Sequence, residues 1–152
     1  MGTTWEEIKF VDTCGNVVLL GTLALGAYQD WKEQQIHILL PVAAGLLGVF
    51  LWLVRPQFTL EELVGGIGIG LVLLLTAWLS HGQVGAGDGA MIILCGIFLG
   101  FWKNMELFFT ALMFVALAAL GLIVIKKKRR DYRMPFLPFV LAAYLVQLMG
   151  GV

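Results

Sequence analysis

Gly85-Ala86-Gly87-Asp88 sits in a short polar gap, residues 80–89, between two apolar runs that each read as membrane helix. An ionisable side chain at membrane depth is costly; it usually faces a cavity or a partner and marks function. Asp30 closes the first apolar run, Leu19-Leu20-Gly21-Thr22-Leu23-Ala24-Leu25-Gly26-Ala27-Tyr28-Gln29, in the same way. The pattern predicts a chain built to bring Asp30 and Asp88 together.

Six apolar runs surround these two residues, at about 11–29, 37–54, 62–80, 90–102, 106–125 and 134–151. Five come close to the roughly 20 residues that span a bilayer core. The fourth, Ala90 to Trp102, is short: about 20 Å of helix at 1.5 Å per residue, against about 30 Å of hydrocarbon. That shortness predicts a thinned crossing, or a helix that starts below the membrane surface after a loop at residues 85–89. Irregular backbone at that depth must be buried in protein or line a wet cavity. Either way Asp88 lies near a helix start, where a carboxylate can cap free N–H groups.

The composition agrees. Of 152 residues, 60% are hydrophobic and 13% charged, and mean hydropathy is +0.92. A soluble domain would carry about a quarter charged residues. The expectation is one all-α, polytopic membrane domain over residues 1–152, with six transmembrane helices. The formal net charge of zero points to no nucleic-acid partner. No cleavable signal peptide is evident, since Glu6, Glu7 and Lys9 replace a basic start. Cys14 and Cys95 stand alone, without CxxC or HxxxH spacing, so they read as small buried hydrophobes and no metal or cofactor is expected.

Placement of Lys and Arg sets the orientation. With the N-terminus outside, the inner loops hold Lys32, Lys126, Lys127, Lys128, Arg129, Arg130 and Arg133, against Lys9, Arg55 and Lys103 outside. Both aspartates then lie at the cytoplasmic face. The run Lys126–Arg130 reads as a headgroup anchor that binds anionic lipid. Gly65, Gly66, Gly68 and Gly70 of the third run read as helix packing, because small residues let backbones approach closely.

Two carboxylates held close share a proton. The ionised member can take a proton from water while the protonated member hydrogen-bonds a scissile carbonyl, which is general acid–base hydrolysis. Gly85, Gly87 and Gly89 relax the backbone and leave room for an extended substrate. An aspartate at a helix end is, taken alone, more often a cap.

These residues resemble a family. Gly85-Ala86-Gly87-Asp88 is similar to the GxGD motif of intramembrane aspartic proteases. Asp30-Trp31-Lys32-Glu33-Gln34-Gln35-Ile36 resembles the first-aspartate motif of the type IV prepilin and preflagellin peptidases, and Met134-Pro135-Phe136-Leu137-Pro138-Phe139 resembles the Pro-Phe-x-Pro start of their last helix. The resemblance implies a cytoplasmic-side endopeptidase that cleaves the short basic leader of type IV pilin-like precursors after a glycine, with Asp30 and Asp88 as catalytic residues. It implies a standalone form without N-methylation, since Asp30 comes too early for the family's cysteine-bearing domain. Two positions depart from the pattern. Ala90 stands where the family often has Lys, and His37 stands where it often has Pro; effects on substrate or pH would arise there. His81 reads as an interfacial histidine. Loops 30–36 and 81–89 are expected to move to admit substrate. The alternative is an inactive relative that binds precursors as a scaffold. A transporter would need inverted repeats, which the chain lacks.

Overall fold

The computed structural model describes residues 4–33, 36–54, 56–81, 85–126 and 134–150. Its elements are five α-helices: α1 (Trp5–Glu33), α2 (Leu39–Val54), α3 (Leu60–Leu79), α4 (Ala86–Lys126) and α5 (Leu137–Met149). No strand occurs among the described residues. Helix α1 has Glu6 and Glu7 in its first turn and Lys32 in its last, which suits the helix dipole. It overruns the apolar stretch at both ends, so Asp30 to Glu33 form a helical turn rather than the start of a loop. Helix α3 is capped by Thr59, whose Oγ1 accepts from the Glu62 N–H at 3.3 Å.

Helix α4 is broken. Gly100 has φ +75° and ψ −175°, a conformation that a glycine adopts without penalty. Beyond the break, the Asn104 side-chain amide donates to Ile92 O at 3.2 Å, twelve residues back along the chain. In an unbroken helix those residues would lie about 18 Å apart. The chain therefore folds back at Gly100, and residues 86–99 and 101–126 are the two arms of a hairpin. The two arms correspond to the expected fourth and fifth apolar runs, here continuous in α4 across the break at Gly100. Three helices, α1, α3 and α4, are long and apolar enough to cross a membrane; α2 and α5 are shorter. The arm expected at 90–102 begins at Ala86 instead, so the glycine–aspartate stretch is its first turn and not a preceding loop.

The short arm 86–99 is the axis of the bundle. Met91, Ile92, Leu94 and Cys95 are all buried, and they share one core with Leu19 and Leu23 of α1, Ala44 of α2 and Val140 and Tyr144 of α5. A helix that is apolar all round belongs in such a place. Its short length follows, because lipid-facing helices surround it.

Glycines set how closely the neighbours pack. A Cβ on Gly66 would lie 2.8 Å from Gly96 O, and one on Gly89 would lie 2.8 Å from Leu74 Cγ; one on Gly70 would meet the Ile93 backbone. These contacts run 66 with 96, 70 with 93 and 74 with 89, so α3 is antiparallel to the arm in near backbone contact. Gly65 packs on Phe101, whereas Gly68 meets nothing within 4 Å. The packing reading therefore holds for Gly65, Gly66 and Gly70 and fails for Gly68. On the other side of the arm, Gly15 of α1 faces Phe98 and Gly26 faces Met91, which is again antiparallel.

Candidate active site

Asp30 lies on the stripe of α1 that carries Leu19, Thr22, Leu23, Gly26 and Ala27, all buried. Helical spacing thus turns its carboxyl group into the bundle rather than toward lipid. There Oδ2 accepts from the Leu137 N–H at 3.0 Å. Leu137 is the first residue of α5, and Pro138 follows it without an N–H of its own. Asp30 therefore takes a donor that the helix itself leaves without a partner. Gly26, one turn earlier, makes room: a Cβ there would run into Leu137 Cδ2.

Asp88 is the third residue of α4, where helix geometry favours a negative charge. Its N–H donates to Gly85 O at 3.2 Å, and its carboxylate curls back toward Gly85. A Cβ on Gly85 would lie 2.9 Å from Asp88 Oδ2, so a larger residue there would crowd the carboxylate. Among the described residues none donates a hydrogen bond to that carboxylate, in contrast to the cap expected of it. It is half-buried, whereas Asp30 is 8% exposed.

The two aspartates lie at the same end of the bundle, because α1 ends at Glu33 where the antiparallel arm begins at Ala86. The segments that carry them also touch directly. A Cβ on Gly87 would lie 3.0 Å from Ile36 Cβ, so Ile36, six residues after Asp30, rests against the Gly87 backbone. The third glycine of the stretch, Gly89, admits Leu74. Each of Gly85, Gly87 and Gly89 thus has its own steric reason: a carboxylate, the strand of chain after Asp30, and α3.

The other candidate residues divide. Pro138 is at the second position of α5 and Pro135 lies just ahead of that helix, so this motif forms the wall against which Asp30 is held. His37 is exposed; its ring Nε2 lies 3.5 Å from Glu33 Oε2, and its N–H donates to Gln29 Oε1 at 3.3 Å. It faces Glu33 rather than either aspartate. His81 is exposed with φ +55° and turns Nδ1 onto Leu79 O. Ala90 is half-buried, two residues after Asp88 on the same helix. The expected mobile loops fall partly on residues 34–35 and 82–84, which lie outside the described residues, as do 127–133 of the basic run.

Two participants of the site and one buried residue that pins the turn behind it were not foreseen from the sequence. The Leu137 N–H had a signal, since a helix opening on Leu-Pro keeps one free donor and must find its acceptor elsewhere. Ile36 was quoted only as a motif letter, with no account of what it touches. Asn104 carried the strongest unread signal: it is a polar residue inside an apolar run, 0% exposed, and donates to Gly66 O at 3.0 Å as well as to Ile92 O.

The family model described as the type IV leader peptidase family matches residues 17–125. That stretch is more than half of the chain and takes in α1 from Val17, α2, α3 and nearly all of α4, with both aspartates inside it. The chain belongs to the type IV leader peptidase family, a family of proteases, and its long apolar helices make it a membrane protein. Neither the curated proteins nor the solved structures yield a match.

Proposed function

We propose that this chain is a membrane aspartic endopeptidase that removes the short basic leader of type IV pilin-like precursors. Cleavage follows a glycine at the cytoplasmic face, and Asp30 and Asp88 act as a general acid–base pair. The observation that supports the reading is that Asp30 and Asp88 share one end of the bundle, on segments that touch through Ile36 and Gly87, each on a helix of the matched region. In the proposed reaction one carboxylate takes a proton from water as the water oxygen adds to the scissile carbonyl carbon. The other, protonated, gives its proton to the carbonyl oxygen. Collapse of the tetrahedral species breaks the C–N bond, and the amine leaves with a proton returned by the pair. The glycines around Asp88 let Ile36 and Leu74 close against the stretch that carries it.

A second reading is favoured by one observation, the hydrogen bond from Leu137 to Asp30. It gives Asp30 a structural task that an inactive, precursor-binding relative would also need. The test is cleavage, in membranes or detergent, of a pilin-like precursor whose basic leader ends in glycine. Wild type is expected to cleave it, and Asp30→Asn and Asp88→Asn are each expected to bind without cleaving. Binding without turnover by wild type would favour the inactive relative and make Ala90→Lys the next variant.

A further inference from the structure

The end of the bundle away from the aspartates holds a second feature. Here the hairpin turns at Gly100, α3 begins, and the first half of α1 passes by. Together they line an open depression of about 400 Å³, a size within the range of about 300–1,000 Å³ usual for small-molecule sites. Its wall carries the carboxylates of Asp12 and Glu62, the ammonium of Lys103, and the amide of Gln57, with Phe58 and Trp102 as aromatic surface. The charges are of both signs, yet among the described residues none of the three forms an ion pair. The cavity stands between them. At a membrane interface, opposite charges on one wall would gain by meeting, and their separation leaves space for a group that carries both.

The wall is also held in place. Gln57 Nε2 donates to Asp12 Oδ1 at 2.6 Å, which fixes the carboxylate. Trp52 Nε1 donates to Phe58 O at 3.1 Å, and the Phe58 ring packs under Gly100. Below the cavity, Gln147 of α5 donates to Lys103 O at 3.1 Å, so the backbone that carries the ammonium is tied to the bundle. Trp102, 71% exposed, stands at the open side of the site.

We propose that this cavity binds a zwitterion made of a primary ammonium and a phosphate, with the ammonium between Asp12 and Glu62 and the phosphate on Lys103. A purely anionic group would satisfy Lys103 and face two carboxylates; a purely cationic one would leave Lys103 unmet. The ammonium would also lie near aromatic rings, which attract it. A phosphatidylethanolamine headgroup has this chemistry, and so does free phosphoethanolamine.

Native mass spectrometry of the full chain in detergent tests this, with phosphatidylethanolamine and phosphatidylglycerol of the same acyl chains. The first is expected to be retained at least about tenfold more strongly, a difference of about 1.4 kcal/mol. Glu62→Gln keeps the shape of the α3 start and is expected to bring the two lipids level; Lys103→Gln is expected to weaken retention of both lipids alike, because both carry the phosphate. Displacement of the lipid by free phosphoethanolamine would mean that the headgroup suffices; no displacement would assign the site to the lipid itself. Equal retention of both lipids by wild type, selectivity unchanged in Glu62→Gln, or retention unchanged in Lys103→Gln, each with helix content intact, would overturn the proposal. Leader cleavage plays no part in this readout, so the two readings fail separately.

Discussion

Asp30 is at once a candidate for the chemistry and the acceptor for the first N–H of α5. Two substitutions separate these tasks. Asn keeps an oxygen for Leu137 and loses the charge; Ala loses both. Asp30→Asn is expected to melt close to wild type and to lose leader cleavage by at least about 10²-fold, the scale of one acid–base contribution. Asp30→Ala is expected to lose cleavage and also about 1–3 kcal/mol of stability, because a buried donor is left without a partner. Thermal unfolding in detergent, run beside the cleavage assay, checks both. If Asp30→Asn still cleaved like wild type, Asp30 would be a cap and nothing more. At this scale the two aspartates were legible, because a charge inside an apolar run stands out. Their surroundings were not. In lipid a helix is apolar on its outer face as well as its inner one, so periodicity does not say that Asp30 shares a stripe with Leu19 and Leu23. The mark of the inner face was small size, at Gly26 and Ala27, rather than hydrophobicity.

Among the helices, the arm 86–99 and α3 form the closest pair, and backbone meets backbone along it. Packing of this kind is sensitive to single methyl groups. Gly70→Ala sets a Cβ against the Ile93 backbone and is expected to cost about 1–3 kcal/mol, the range for overpacking. Gly68→Ala faces open space and is expected to be neutral, or stabilising by up to about 1 kcal/mol, since Gly weakens a helix interior. Reversible unfolding in mixed micelles would compare the two; equal effects would remove the α3 register from the account. Glycine content announced close packing here but could not say which glycines do it, since α3 carries four within six residues and only spatial neighbours distinguish them. The break at Gly100 was hidden for a related reason. Phe101 and Trp102 continue the apolar pattern straight through it, and only a glycine can adopt the angles that turn the chain. Asn104 then pins the turn from a fully buried position, where each bond to Gly66 O or Ile92 O is worth about 0.6 kcal/mol on average in a membrane bundle.

For the whole molecule, the hairpin decides which groups share an end. Asp30, Ile36, Gly85 to Asp88 and Leu137 gather at one, and Asp12, Gln57, Glu62 and Lys103 at the other. The proposed orientation, expected from the distribution of Lys and Arg, puts the first end at the cytoplasmic face. A single cysteine at Gln57, in a background with Cys14 and Cys95 replaced by Ser, is expected to react with an impermeant maleimide in intact cells. One at His81 is expected to react only after permeabilisation. The opposite pattern would invert the orientation and with it the side on which leaders are cut. Fold class and the order of the helices were readable from hydropathy, because bilayer thickness imposes a length on every crossing. The convergence of the two ends was not, because it depends on which faces meet across long stretches of chain.

The contact between Asp30 and Leu137 closes a span of 107 residues, and this sets an order of events during synthesis. Asp30 leaves the ribosome early, yet its hydrogen-bond donor does not exist until almost all of the described chain has been made. A partly translated chain therefore carries both aspartates but lacks the helix that steadies the first of them. Maturation of the site is tied to insertion of α5, so any proteolytic power that the pair holds arrives only with a completed bundle.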